Sequence, residues 1–355
     1  MHPVINEDIL KIKSAITSWE LLRDTTVLIT GANGFIPAYM VETIMYLNKT
    51  ENFNTKIIAL VRNKEKANSR FLHLKDLPEL EFLIQDVCSE IKIDEPVNFI
   101  IHAASQASPK YYGIDPIGTL QANTIGTFNI LKFSESQKEL KSLLYFSSAE
   151  IYGNVNELSE GVKESYSGAL DPMVLRACYA ESKRMGETMC NSWFHQKDTP
   201  AKIIRIFHTY GPGMDLNDGR VFADFVKNIV NKKDIEIKSD GKAVRAFCYL
   251  SDTITGAFKV LLDAPSGEVY NIGNEFCQSD MNNLAEILIK IDNKSELKIV
   301  RKFRNNNEYL ESRVNKIVPD TRKLQSLGWV PQVNINDGFA RTIRFYKDKM
   351  SDKSY

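Results

Sequence analysis

The chain has 355 residues, of which 43% are hydrophobic and 25% charged, with Lys+Arg and Asp+Glu equal at 45 each. That length admits one large α/β domain or two fused lobes, and the composition is ordinary for a soluble globular protein. Even charge and the lack of any basic block exclude the electrostatic footprint of a nucleic-acid binder.

Residues 5–22, INEDILKIKSAITSWELL, place apolar side chains at helical spacing and predict an amphipathic helix. The next stretch, TTVLITGANGFIPAYMVETIMYL, reads as a buried strand, a glycine turn and a helix. Further strands are predicted over 55–63, 80–87, 97–105, 141–149 and 201–212, with helices over 124–137 and 179–196. Short apolar strands alternating with helices indicate a Rossmann-type, doubly wound α/β fold, a parallel sheet covered on both faces. After about residue 210 the alternation loosens, which predicts a smaller C-terminal lobe over the carboxyl edge of the sheet. No apolar run is long enough to span a bilayer, and the opening MHPVINEDILKIKS lacks the basic-then-apolar pattern of a secretory signal. The expectation is a cytoplasmic protein with no membrane partner. Five scattered cysteines, Cys88, Cys178, Cys190, Cys248 and Cys277, form no CxxC pair and are expected as reduced, buried thiols. The five histidines suggest no metal site.

Parallel sheets bind ligands beyond the carboxyl ends of their strands. The first such end reads TGANGFIP. Gly31 permits the tight turn, and Gly34 lets the backbone approach a pyrophosphate at the helix N-terminus, with Asn33, Phe35 and Ile36 in the same turn. This predicts dinucleotide binding. Where an acid commonly binds the adenosine ribose, the second strand ends in Arg62. A cation there suits a 2′-phosphate and stacks on adenine, leaning toward NADP over NAD; the other reading is a solvated surface arginine. Asp86 and Val87, after the third strand, are expected at the adenine edge. The fourth strand ends in Ala103 and Ala104, expected at the cofactor, and Ser105, expected at the substrate.

The fifth strand runs into SSAEIYG, and a later helix carries YAESK. Tyr179 and Lys183, at i and i+4, share a helix face. A neighbouring ammonium, together with the positive charge of a nicotinamide, stabilises a phenolate. Such a tyrosine takes a proton from a sugar hydroxyl as hydride leaves, and Ser148 is placed to hold the reacting oxygen.

The glycine turn, SSAEIYG, YAESK and Asn123 in ANTIGT resemble the extended short-chain dehydrogenase/reductase family, the epimerases and dehydratases of nucleotide sugars. DPIGTLQANTIGT (115–127), LRACYAESKRMGETMC (175–190), RIFHTYGPGMDLNDGRVFADFV (205–226) and VRAFCYLSDTITGAF (244–258) are most similar to its UDP-glucuronate decarboxylase branch. The resemblance implies an N-terminal helical extension over 1–23 and an NAD(P)-binding domain over 24–204, with a later strand and helix from about 243–273. A nucleotide-sugar-binding lobe would take 205–242 and 274–350. It further implies that Ser148, Tyr179 and Lys183 oxidise the sugar at C4 with tightly bound, recycled NAD(P)+ and no metal. Glu150 matches a carboxylate near C5, Arg245 an arginine near the sugar carboxylate and diphosphate, and Arg220 and Val221 a nucleotide-binding stretch. Asn123 would support the lysine through the helix backbone or water. A hexuronic acid with a C4 ketone is a β-keto acid; it loses CO2 as the carbonyl accepts the electrons, and protonation at C5 with hydride return gives a pentose. The implied partners are a nucleotide-diphosphate sugar, a UDP-sugar first, and a second copy of the chain in a homodimer built on the Tyr179 helix.

Four positions depart from that pattern. Ala149 stands where the decarboxylases have serine and 4,6-dehydratases commonly have aspartate; His208 replaces an asparagine, Gly213 an arginine, and Pro37 the third glycine of the turn. Ala149 and His208 are both expected at the substrate. A methyl group neither donates nor accepts a proton, so 4,6-dehydration and 4-epimerisation stay open beside decarboxylation, as does a catalytically lapsed cofactor-binding protein. His208 is either a substrate ligand or a structural histidine at a strand end.

Overall fold

The computed structural model describes residues 1–74, 76–156, 158–292, 296–302 and 314–351. Strands β1 (Thr26–Thr30), β2 (Lys56–Val61), β3 (Leu80–Ile84), β4 (Phe99–His102), β5 (Ser142–Ser148) and β6 (Ala201–Ile206) are followed by β7 (His208–Tyr210), β8 (Ile235–Ile237), β9 (Val244–Tyr249) and β10 (Val269–Ile272). The first six and β10 form a seven-stranded sheet in the order β10-β6-β5-β4-β1-β2-β3, with every pairing parallel. The chain winds outward from β1 in one direction and from β4 in the other. Their carboxyl ends therefore diverge into a crevice at the switch point, where the predicted glycine turn falls.

Helices α1 (Pro3–Ala15), α2 (Phe35–Glu51), α3 (Lys64–Arg70), α4 (Pro109–Ile114), α5 (Pro116–Ser134), α6 (Ala177–Lys197), α7 (Val221–Val230) and α8 (Leu250–Asp263) surround the sheet and its edge. Strand side chains alternate between faces. Val27, Ile29, Ile57 and Ala59 pack with Ile9 of α1, Ile44 of α2 and Phe258 of α8. Leu28, Ile58, Leu60 and Ile100 pack on the other face with Ile130 of α5 and Cys190 of α6. Continuous apolar strands result because both faces are dry.

Two predicted elements break where the sequence read as continuous. The N-terminal helix stops at Ala15, and a short 3-10 turn, Trp19–Leu22, leads into β1. The strand predicted over 201–212 divides at Phe207. Its amide still bonds Ile272 O at 2.9 Å in the main sheet, but β7 pairs with β9 in a smaller one. That smaller sheet also takes β11 (Gln278–Ser279) and, after α9 (Met281–Asp292) and β12 (Ile299–Arg301), β13 (Lys316–Ile317). From the 243–273 stretch, β10 thus joins the main sheet and α8 packs on it, whereas β9 belongs to the small sheet. The chain closes with α10 (Arg322–Gln325) and α11 (Ile335–Ser351). A second core gathers Phe225 and Ile229 of α7, Leu284 and Leu288 of α9, Phe339 and Ile343 of α11, with Tyr210 and Phe247 from the strands.

The cysteines are free thiols, but only Cys190, Cys248 and Cys277 are buried; Cys88 and Cys178 sit half-buried at the sheet's carboxyl edge and the start of α6. Among the described residues no helix is long and apolar enough to cross a membrane, and no three metal-ligating side chains cluster.

Candidate active site

At the end of β1, Gly31 takes φ +64°, and a Cβ there would fall 2.9 Å from Ala104 Cα. The turn and the loop after β4 are therefore in direct contact, which a larger residue would prevent. Thr30 Oγ1 fastens that loop by accepting from the amides of Ala103 and Ala104, each at 3.1 Å. The same hydroxyl lies 2.8 Å from His102 Nδ1, and His102 Nε2 lies 3.0 Å from Thr127 Oγ1. Burial, aided by the nearby Lys183 charge, pushes His102 down to about 3, so it stays neutral. Helix α2 starts with Gly34 as N-cap and no side-chain cap, leaving its first amides for an anion. Asn33, Phe35 and Ile36 share this turn. Pro37 sits in the first turn of α2, where its missing N–H goes unused.

Exposed Arg62 and half-exposed Asp86, beyond the ends of β2 and β3, approach to 3.8 Å. The Val87 side chain is buried against Gly126 of α5, and its carbonyl accepts from Asn129 at 3.1 Å.

At the end of β5, Ser148 Oγ accepts from the Glu150 amide at 3.2 Å and opens the 3-10 turn Ala149–Tyr152. The Ala149 methyl is buried with Ile151, Tyr152 and Phe207. Glu150 Oε1 receives Arg176 Nη2 at 2.6 Å. Tyr152 points inward, donating to Asn271 Oδ1 at 2.5 Å and accepting from Arg205 at 3.0 Å.

Helix α6 brings Tyr179 and Lys183 beneath this edge, both buried. Lys183 Nζ donates to Phe146 O at 2.7 Å, and burial lowers it to about 7. Burial pushes Tyr179 up to about 12, against a favourable hydrogen bond from Ser148. The phenol is thus neutral, and an added positive charge beside it is what would poise it as a base. Asn123 does not touch Lys183; its Nδ2 donates to Ser182 Oγ at 3.0 Å, bracing α6 next to the lysine. One turn beyond Lys183, Glu187 receives Arg205 Nε and Nη2 at 2.9 and 2.7 Å and Ser147 Oγ at 2.5 Å, tying α6 to the ends of β5 and β6.

His208 is held well below its ordinary range by burial and by the charges of Arg245, Arg220 and Arg176. Its Nδ1 is buried without a partner, as are Ser105 Oγ and Asn123 Oδ1. Arg220 lies 3.4 Å from Asp218 and donates to Ala107 O at 3.1 Å; Val221, next to it, is exposed. Arg245 donates to Val244 O at 2.8 Å and Val314 O at 2.9 Å. The positive charge of three arginines thus reaches one neutral imidazole, which favours an anionic ligand there.

The sequence reading missed Tyr112, Arg176 and the Glu187–Arg205 pair. Arg176 stood in the quoted RACY stretch, and Glu187 continues the i, i+4 series of Tyr179 and Lys183. Tyr112 carried no local signal.

A doubly wound sheet with a glycine turn at its switch point and a tyrosine–lysine helix at its carboxyl edge defines a dinucleotide-binding protein of the extended short-chain dehydrogenase/reductase class. The chain belongs to the NAD dependent epimerase/dehydratase family, whose sequence profile matches residues 27–273. It is similar to UDP-glucuronic acid decarboxylase 6 of Arabidopsis thaliana, 32% identical over 318 residues, 88% of this chain and 86% of the relative. Its fold matches that of UDP-glucuronic acid 4-epimerase from Bacillus cereus in complex with UDP-glucuronic acid and NAD, with TM-score 0.77 and 21% identity, covering 91% and 99% of the two chains. It also matches dTDP-glucose 4,6-dehydratase from Bacillus anthracis in complex with NAD, with TM-score 0.77 and 19% identity, covering 92% and 98%. The residues present fit a dinucleotide: the uncapped α2 N-terminus offers free amides to a diphosphate, and the close approach at Gly31 leaves no side chain in its way.

Proposed function

We propose that this chain is a cytoplasmic nucleotide-sugar decarboxylase that converts UDP-glucuronate to a UDP-pentose. The observation that carries the reading is Glu150, a carboxylate at the end of β5, set next to Ser148 and Tyr179 in a cleft with three arginines. Similarity to a decarboxylase over nearly the whole chain supports the choice of reaction. NAD(P)+, when bound, supplies hydride acceptance and return at sugar C4. In this reading Gly31, Asn33, Gly34, Phe35, Ile36, Ala103 and Ala104 hold it, with Asp86 and Arg62 on the adenosine side, and the Arg62 cation favours the 2′-phosphate form. Ser148 holds the O4 oxygen. Tyr179 takes the O4 proton and gives it back, with the Lys183 charge one turn away. Glu150 faces C5, where the proton replaces departing CO2. Ser105, His208, Arg220, Val221 and Arg245 take the sugar and its diphosphate. Two chains pair through α5 and α6, whose Ile117, Leu120, Phe128 and Met185 are exposed apolar side chains.

The buried Ala149 methyl favours a second reading, 4-epimerisation, which needs no proton donor at C5. Incubation with UDP-glucuronate, UDP-glucose and dTDP-glucose, followed by NMR of the products, separates the readings. CO2 and a UDP-pentose are expected; a C4 epimer or 4-keto-6-deoxy sugar without CO2 from the uronate overturns the decarboxylase.

A further inference from the structure

His102 sits between two hydroxyls whose own hydrogen bonds leave it a single protonation pattern. Thr127 Oγ1 lies 2.6 Å from Asn123 O, one turn back along α5. A carbonyl oxygen has no hydrogen to give, so the one Thr127 hydrogen lies in that bond. Toward the ring Thr127 therefore offers only a lone pair, and Nε2, 3.0 Å away, must bring the hydrogen. A neutral imidazole carries one N–H, which leaves Nδ1 bare. Thr30, at 2.8 Å, meets that requirement: its lone pairs receive the amides of Ala103 and Ala104, and its hydrogen remains for Nδ1. A second ring proton would meet an oxygen that already accepts twice. Among the described residues, the titratable groups facing the ring are Tyr145 of β5, with centroids 5.7 Å apart, and Lys183 of α6, whose charge opposes an imidazolium.

Both ends of this chain of bonds reach the site. At one end, a Cβ on Gly31 would fall 2.9 Å from Ala104 Cα, so the loop that Thr30 fastens is pressed against the glycine turn. At the other, Asn123 Nδ2 donates to Ser182 Oγ at 3.0 Å, and Ser182 Oγ donates to Tyr179 O at 2.9 Å. Thr30, His102, Thr127, Asn123 and Ser182 are all buried, and buried hydrogen bonds in series polarise one another. We propose that His102, held as the Nε2–H tautomer, is a positioning residue that couples the cofactor turn to the helix carrying Tyr179. This rests on the cofactor reading above and deepens it.

NMR of the full chain labelled with 15N-histidine reads the tautomer, the His102 signals being assigned by their loss in His102→Gln. The proton is expected on Nε2 with and without dinucleotide, and no imidazolium is expected between pH 5 and 8. A proton on Nδ1, a mixture of tautomers or a charged ring in that range overturns the inference. The coupling is read from affinity for NAD or NADP, whichever wild type binds more tightly, which a role in stability alone would not move. Thr30→Val should weaken binding about tenfold and Thr127→Val about threefold, while Thr127→Ser, which keeps the hydroxyl, restores it. The double valine variant should be weakened about tenfold, because a chain already cut loses little at a second cut. Alanine replaces valine in any variant that fails to fold. A double variant weakened about thirtyfold, or Thr127→Val with unchanged affinity, overturns the coupling while the cofactor reading stands. Wild type that binds neither dinucleotide overturns both.

Discussion

Tyr112 lies flat against Tyr179, their ring centroids 4.9 Å apart and their planes 17° from parallel. Tyr112 is buried and its hydroxyl donates to Ala107 O at 3.0 Å, so α4 fixes the orientation of the phenol on α6. Stacking of this kind is worth about 0.5–1.5 kcal/mol beyond burial. Tyr112→Phe should keep the stack and hold kcat within about threefold. Tyr112→Leu should lower kcat about tenfold with a smaller change in KM, because under the proposed function it frees the proton-transferring phenol rather than a binding group. Steady-state kinetics on the two variants decides; equal kcat for both would refute the role.

The Glu187–Arg205 pair is nearly dry, with side-chain exposures of 12% and 10%. Removing one partner of such a pair strands the other charge, at a cost of about 3–5 kcal/mol. Glu187→Gln should therefore lower the urea midpoint sharply. Replacing both residues by Met and Leu should recover part of the loss, since no charge is then left buried.

His102 makes stability depend on acid. Its folded pKa is lowered to about 3, while an unfolded histidine takes up its proton near 6.5. Between those values the unfolded chain binds the extra proton, so stability falls as pH falls through that window. The loss from pH 6.5 to pH 4 is on the order of 3 kcal/mol from this group. Urea unfolding at both pH values should show it, and His102→Gln should flatten the dependence. An unchanged slope would mean that other groups carry it.

Arg62 sets the cofactor expectation. With Arg62 exposed and 3.8 Å from Asp86, a 2′-phosphate can compete with that carboxylate for the guanidinium. Arg62→Asp should shift the ratio of NAD to NADP affinity toward NAD by about tenfold or more. Fluorescence titration of the cofactor-stripped protein measures it, and an unaltered ratio would leave Arg62 a surface residue.

The sheet was legible because its inner strands are short, doubly buried apolar runs, and the glycine turn because only Gly31 tolerates its φ and its contact with Ala104. The Tyr179–Lys183 face was legible because helical spacing is local. What escaped was carried by contacts between distant segments. Tyr112 meets a partner 67 positions away across two helices, and Arg176 acquires its meaning from Glu150 only once the 3-10 turn at Ala149 has formed. The burial of the Val87 side chain was hidden for the same reason: proximity to a strand end does not say which way a side chain turns, and Gly126 leaves it room in the core. The split of the 201–212 strand was invisible because apolar alternation continues unbroken across two different sheets.

That split has a consequence of its own. Phe207 is the only residue between Ile206 of one sheet and His208 of the other. Along extended backbone, odd and even positions face opposite ways within each strand; Ile204 and Ile206 pack in the core over α8, whereas His208 and Tyr210 lie against Phe247 of the small sheet. Both sheets inherit their facing from this one join. A substitution at the seam alters one contact, but a single inserted or deleted residue reverses parity downstream and turns His208 out of the cleft. Length variation along 201–212 should accordingly be far less tolerated than any change of residue type there, and the join works as a counter that keeps the seven-stranded sheet and the smaller one in phase.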